Sequence, residues 1–166
     1  MENELYWQDI LLWSEGQAEL LRRLARGERV DGVDWDHVIE EVEDVGRSEW
    51  HSVEALLLQA TVHLLKATAW PDAPPSEHWR SEVIGFLLLA RRRFAPSMRK
   101  RISVEEVYGD ALKQVRATTI DGRPPAALPD QCPFTLDALL SADRDALEAQ
   151  LRNGLQAELH ADGNVV

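Results

Sequence analysis

The stretch Ile39–Lys66, "IEEVEDVGRSEWHSVEALLLQATVHLLK", decides the fold class of this chain. It contains no proline and a single glycine, and its apolar residues recur at steps of three and four. Because successive residues of an α-helix are about 100° apart, that spacing places them on one side of a helix. With Asp34 as N-cap, we predict a long second helix that ends near Thr68, before the prolines of "WPDAPPS".

The predicted second helix has one apolar face and one acidic face. The apolar face consists of Trp35, Val38, Val42, Val45, Val53, Leu56, Ala60, Leu64 and Ala67. The opposite face consists of His37, Glu41, Asp44, Ser48 and His51. We expect the apolar face to pack into the core along its whole length, and the acidic face to lie in solvent.

Helical spacing covers most of the remaining chain. The other predicted helices span residues 6–24, 76–95, 103–118, 135–140 and 147–159. The sequence shows neither strand-like alternation nor an internal repeat, so the predicted fold class is all-α, a single-domain helical bundle with a long central second helix. We assign residues 1–140 to the bundle domain and residues 141–166 to a C-terminal helical extension with a frayed tail.

Composition restricts the class of function. The chain of 166 residues carries a net charge of -11, which opposes non-specific attraction to nucleic acid or to an anionic membrane. Its one cysteine, Cys132, forms no internal disulfide, and the acidic start "MENELYWQDI" lacks the basic region of a secretory signal. Its apolar runs are too short to cross a bilayer as helices. We therefore expect a cytoplasmic protein without a membrane partner.

Several motifs, in order along the chain, resemble one bacterial family, the domain of unknown function 29. The resemblance begins with Tyr6, Asp9, Ile10, Trp13, Gln17, Ala18, Leu20, Leu21 and Arg22. It continues through "IEEVEDVGRSE", "HLLK", Trp79, "APSM", "VYGDAL" and "LPDQCPFTLDALL", and covers roughly residues 5–140. The chain departs from the family pattern at Phe86 and Leu87, where a polar pair is usual, and at "WPDAPP". The resemblance implies a mostly helical cytoplasmic domain, and it supplies no catalytic residues.

Three polar residues occupy positions predicted to be apolar and buried. Glu49 lies within the apolar face of the second helix, His63 lies at its edge, and Gln17 lies on the apolar face of the first helix. Such residues suit either a satisfied polar contact that fixes helix register or a metal or proton-transfer site. In an unbroken helix Glu49 and His63 are about 21 Å apart, so each needs its own partner. We favour the structural interpretation.

A second set of candidate residues is basic. Six cations lie within 11 residues and form a candidate site for an anion or a partner: Arg91, Arg92, Arg93, Arg99, Lys100 and Arg101. This basic cluster suits phosphate, RNA or an acidic protein. It equally suits ion pairs with the acidic second helix or favourable charge at a helix C-terminus. We favour ion pairing, because the total charge opposes polyanion binding.

The sequence contains no complete catalytic constellation, so we assign no catalytic residue and no cofactor. We expect a protein-interaction or scaffold module that binds a protein partner or forms a weak homodimer. The alternative hypothesis is a metal-dependent hydrolase that uses Glu49 and His63. A third hypothesis is an accessory to a nucleic-acid system that acts through the basic cluster, although nucleic acid is not the expected partner.

Overall fold

The computed structural model describes residues 2–162. Its α-helices are α1 (Glu2–Gln8), α2 (Ile10–Ala25), α3 (Trp35–Ala69), α4 (Ser76–Arg93), α5 (Val104–Arg116), α6 (Leu136–Ser141) and α7 (Arg144–Asp162). A short 3-10 helix, Pro96–Lys100, lies between α4 and α5. Within residues 2–162 the β-structure is limited to an isolated bridge between Ile120 and Arg123. The all-α prediction with its long helix is confirmed.

The chain forms two compact units, Met1–Ser48 and Glu49–Val166. The helix α3 is continuous over 35 residues and contributes to both units. The predicted division lay elsewhere, with residues 1–140 as the bundle and residues 141–166 as an extension. The end of the predicted frayed tail, residues 163–166, lies outside the described part of the chain.

The first unit consists of α1, α2 and the beginning of α3. The sequence predicted one helix from Tyr6 to Leu24, but the chain breaks at Asp9 because the Asp9 side chain accepts the backbone N–H of Leu12 at 3.0 Å and caps α2. Among residues 4–48 only Trp13 is fully buried. This unit therefore has almost no hydrophobic core of its own.

The second unit contains a continuous hydrophobic core. Among the described residues of this unit, 27 apolar side chains are buried, and they come from the remainder of α3, from α4 to α7 and from the loops between them. Leu57 and Leu65 of α3 and Leu87 of α4 are completely buried. The helices α5 and α6 are each capped at the first turn, because the Ser103 hydroxyl accepts the N–H of Glu106 and the Thr135 hydroxyl accepts the N–H of Ala138.

The C-terminal helix α7 belongs to this core instead of extending from it. Leu147 and Leu151 are each 1% exposed. The Glu158 carboxylate accepts the backbone N–H groups of Asp130 and Gln131, both at 2.8 Å. A Cβ atom at Gly154 would lie 3.2 Å from Pro133, so the glycine permits close packing of α7 on the loop. The motif "LPDQCPF" is thus held against α7, which the sequence placed outside the bundle.

Two leucines of α7 provide a matched test of this packing. We expect Leu151→Ala to lower the free energy of unfolding by about 2–5 kcal/mol, because a buried leucine is lost and a cavity remains. Leu159 is 61% exposed on the same helix, and Leu159→Ala should change the free energy by no more than about 0.5 kcal/mol. Urea denaturation measures both values. Equal effects of the two substitutions would contradict the placement of α7 in the core.

Candidate interaction site

The carboxylate of Asp34 organises the first unit. Its Oδ2 atom lies 2.7 Å from His37 Nδ1 and accepts the indole N–H of Trp13 at 3.3 Å. The backbone N–H of Asp34 donates to Gln17 Oε1 at 2.9 Å. Burial opposes ionisation of Asp34, but the hydrogen bonds from His37 and Trp13 outweigh it and hold the pKa of the carboxyl below its ordinary value. These contacts join the beginning of α3 to α2.

Tyr6 connects α1 to the same face of α3. Its ring stacks on the His37 imidazole with a centroid distance of 3.9 Å. Its hydroxyl donates to Glu41 Oε1 at 2.7 Å. The hydrogen bond to Glu41, followed by burial, raises the pKa of Tyr6 to about 12. The tyrosine is therefore a neutral donor at physiological pH, and it orients α1 on α3.

These contacts reverse the predicted orientation of the first part of α3. His37, Glu41 and Asp44 were expected in solvent, yet they are half-buried within the first unit. Trp35 and Val42 were expected in the core, yet they are 53% and 70% exposed. The prediction is wrong for this half of the helix because Tyr6, Trp13 and Gln17 offer hydrogen-bond partners to the polar face. It is correct from Val53 onward, where Val53, Ala60, Leu64 and Ala67 are buried.

The reversal leaves an exposed apolar surface on the first unit. We define the α3 stripe as Trp35, Ile39, Val42 and Val45, all of which are exposed. Eight of the eleven large exposed hydrophobic side chains of the described chain lie in the first unit; the other four of these eight are Trp7, Ile10, Leu11 and Leu12. Single exposed apolar residues are ordinary, whereas a row of them at helical spacing is a candidate interaction surface.

Two of the three predicted polar positions have different outcomes. Gln17 is half-buried, and its side-chain oxygen accepts the backbone N–H of Asp34. Glu49 is exposed, so the prediction that it is buried is wrong. Because α3 is continuous, Glu49 and His63 are about 21 Å apart along its axis. They do not form one site, and the hydrolase hypothesis loses its pair of residues.

The third position, His63, lies in a cluster of titratable groups in the second unit. Its side chain is 16% exposed, and its Nδ1 atom lies 3.0 Å from Glu82 Oε2, without the angle of a hydrogen bond. His78 Nε2 approaches the same oxygen at 3.4 Å. Burial is the main cause that lowers the pKa of His63; Lys66 and His78 lower it further, and Glu82 opposes them. His63 is therefore a largely buried, neutral imidazole near pH 7.

The basic cluster is divided between bound and solvent-exposed residues. Arg99 donates two hydrogen bonds to Asp137, at 2.7 and 3.1 Å, and this contact holds the pKa of the Asp137 carboxyl below its ordinary value. Arg93 donates to the Ser52 hydroxyl at 2.6 Å. The other four cations, Arg91, Arg92, Lys100 and Arg101, are exposed and form no ion pair among the described residues. The cluster is thus partly used in folding.

The second unit also has a surface groove of about 400 Å³, with an apolar floor and an acidic rim. Glu54, Glu106, Asp110 and His51 line it, and His51 Nδ1 lies 3.5 Å from Glu54 Oε2. Across the described residues, however, no group of three histidine, cysteine, aspartate or glutamate side chains is arranged to hold a metal ion. The groove therefore supplies no metal centre.

Most of the residues whose internal contacts orient α3 in the first unit were absent from the predicted sites. Tyr6 and Glu41 are 35 positions apart, and Trp13 and Asp34 are 21 positions apart. The sequence signal was Asp34 followed three positions later by His37, a spacing that places both side chains on one side of a helix N-terminus. Asp34 was identified only as a helix cap, so its role between α2 and α3 was missed.

Comparison with known proteins agrees with this fold. The family profile described as domain of unknown function DUF29 matches residues 5–144. The chain belongs to the DUF29 family. The predicted resemblance is therefore confirmed, and the family match includes both the α3 stripe and the loop that packs on α7.

A solved structure is similar to this DUF29 chain. It is an α-helical protein of unknown function from Rhodospirillum rubrum, with 35% sequence identity and a TM-score of 0.66. The similarity covers 88% of this chain and 96% of the other chain. No curated protein matches the sequence. Within residues 2–162, no helix combines the length and the apolar character needed to span a membrane.

The environment of His63 predicts a pH dependence of stability. Because the folded chain lowers the pKa of His63, the unfolded chain binds this proton more readily. Stability should therefore fall as the pH decreases through the ordinary histidine value of about 6.5 toward the lower pKa of the folded state. The contribution of one such proton has a slope of at most about 1.4 kcal/mol per pH unit.

The prediction is tested by urea denaturation between neutral and mildly acidic pH. His63→Leu should reduce the loss of stability, because it removes the group that resists protonation in the folded state. His160 is exposed near the end of α7, and His160→Gln serves as the control with an unchanged slope. If the free energy of unfolding of His63→Leu depends on pH as steeply as that of the unchanged chain, another group is responsible.

Proposed function

We propose that this DUF29 protein is a helical protein-interaction module, and that the α3 stripe is the surface on which a partner protein binds. The single observation that carries the proposal is the reversed orientation of α3 in the first unit. An amphipathic helix normally turns its apolar face toward the core, whereas here that face is exposed and the polar face makes the internal contacts.

The scarcity of buried apolar surface supports the same function. Only Trp13 is fully buried among residues 4–48, against 27 buried apolar side chains in the described part of the second unit. Ordering the backbone costs about 1–2 kcal/mol per residue, and apolar burial normally offsets most of this cost. A partner that covers Trp35, Ile39, Val42 and Val45 would supply burial that the first unit lacks.

We also propose that the protein acts in the bacterial cytoplasm. The use of a single cysteine, Cys132, supports a compartment without disulfide formation. The similarity to a protein from Rhodospirillum rubrum supports a bacterial source. A cytoplasmic interaction module also suits the acidic composition, since a net charge of -11 opposes non-specific contact with nucleic acid.

Hydroxyl-radical footprinting in cells and on the purified chain tests the proposal. In the dilute purified protein, Trp35 should be oxidised readily because it is 53% exposed. In cells that produce the chain from its own gene, a bound partner should protect Trp35 severalfold. Leu159, exposed on α7, should be oxidised similarly in both conditions and serves as the internal control.

A surface variant connects the protection to the α3 stripe. Val42→Asp places a charge in the middle of the stripe at a position that is 70% exposed, so folding should be retained, as circular dichroism would verify. In cells the variant should lose the protection of Trp35. If Trp35 in the unchanged chain is oxidised equally in cells and in the purified state, the proposed function is contradicted.

A further inference from the structure

We infer that the occupant of the α3 stripe is an amphipathic helix of a partner protein, with an apolar face and a basic edge. This inference rests on the proposed function and specifies the partner. The shape of the surface supports it. Trp35, Ile39, Val42 and Val45 lie within about 120° of the helix circumference and extend about 15 Å along the axis. A ridge of this width and length matches the apolar face of a second helix of about three turns.

The chemistry of the stripe's free edge indicates the sign of the partner's charge. Asp36, Glu40 and Glu43 follow one another at steps of four and three, which places them in a row beside the stripe. All three are exposed, and none forms an ion pair with a described residue. Lysine or arginine residues along the edge of a partner helix would face these carboxylates, as at the flanking positions of a coiled coil.

The opposite edge of the stripe is already used within the first unit. Glu41 accepts the hydroxyl hydrogen of Tyr6, and Asp34 is paired with His37. Only the edge formed by Asp36, Glu40 and Glu43 is therefore available to select a partner by charge. Complementary charge at the rim of an interface mainly determines specificity and association rate, while the apolar centre provides affinity.

The same row of carboxylates disfavours other occupants. A second copy of this chain would bring two acidic edges together, and like charges at flanking positions select against self-pairing. A nucleic acid or an anionic membrane would meet negative charge on the approaching surface. A helix with an apolar face and a basic edge complements both the apolar stripe and its acidic edge.

Two synthetic helical peptides test the inference on the full chain. Both carry the same leucine and valine residues on one face; the flanking positions are lysine in one peptide and glutamate in the other. We expect the lysine peptide to bind with one-to-one stoichiometry. Its affinity should fall about tenfold at high salt, because salt screens three exposed ion pairs. The glutamate peptide should bind at least tenfold more weakly. Fluorescence anisotropy measures both affinities.

Variants of the edge provide the charge-reversal test. Glu40→Lys combined with Glu43→Lys should reverse the preference, so that the glutamate peptide binds more tightly than the lysine peptide. Val42→Asp should abolish binding of both peptides. Glu105→Lys changes an exposed glutamate of α5 in the second unit and should leave both affinities unchanged.

The outcomes distinguish an error in the inferred partner from an error in the proposed function. Equal affinity for the two peptides, or no effect of the reversed charges, would contradict the inference that the partner helix has a basic edge. A stable dimer of the chain alone that Val42→Asp dissociates would identify a second copy as the occupant and would also overturn it. If neither peptide binds while Trp35 remains protected in cells, the partner class is wrong and the interaction module stands.

Discussion

The contact between Asp34 and His37 is the constraint on which the first unit depends. The Asp34 carboxylate lies at the start of α3 and is also bound to Trp13 of α2. A half-buried carboxylate is stable only when its lone pairs are satisfied, so the rotation of α3 about its axis is fixed by the position of these donors. Tyr6 adds a stacking contact with His37 and a hydrogen bond to Glu41 on the same face.

Once the polar face is turned inward, the apolar face must lie outward. Full burial of a large apolar side chain contributes about 1.5–3 kcal/mol, so covering the half-exposed residues of the α3 stripe would contribute about 1–2 kcal/mol each. This free energy is not used within the chain and is available for binding. The second unit behaves in the usual way, since its part of α3 buries Val53, Leu57 and Leu64. We therefore propose that the two halves of one helix serve different purposes, one in binding and the other in folding.

The sequence predicted the features that depend on local interactions. The helical spacing of α3, α5 and α6 involves neighbours within a few residues, and the structure contains all three helices. The break at Asp9 was missed although its signal was present, because the apolar spacing from Tyr6 to Leu24 is compatible with one continuous helix. Family membership was predictable from several motifs in order, and it supplied the fold without a function.

The candidate site could not be predicted because helical periodicity identifies two faces and does not state which of them packs. That choice depends on partners distant in sequence, such as Tyr6 for Glu41 and Trp13 for Asp34. Glu49 was misplaced for the same reason: its position relative to the apolar spacing was correct, but this part of the apolar face is exposed. His63 and Gln17 were identified by residue type on an apolar face, and both are half-buried.

The orientation of α3 in the first unit is tested most directly by the reactivity of a cysteine introduced on either face of the helix. In a chain with Cys132→Ser, thiol labelling would be compared for Val42→Cys and Asp44→Cys, which lie on opposite sides of the helix. We expect labelling at position 42 close to the rate in the unfolded chain and slower labelling at position 44, which is half-buried. Fast labelling at position 44 with protection at position 42 would contradict it, because the apolar face would then be the one turned inward.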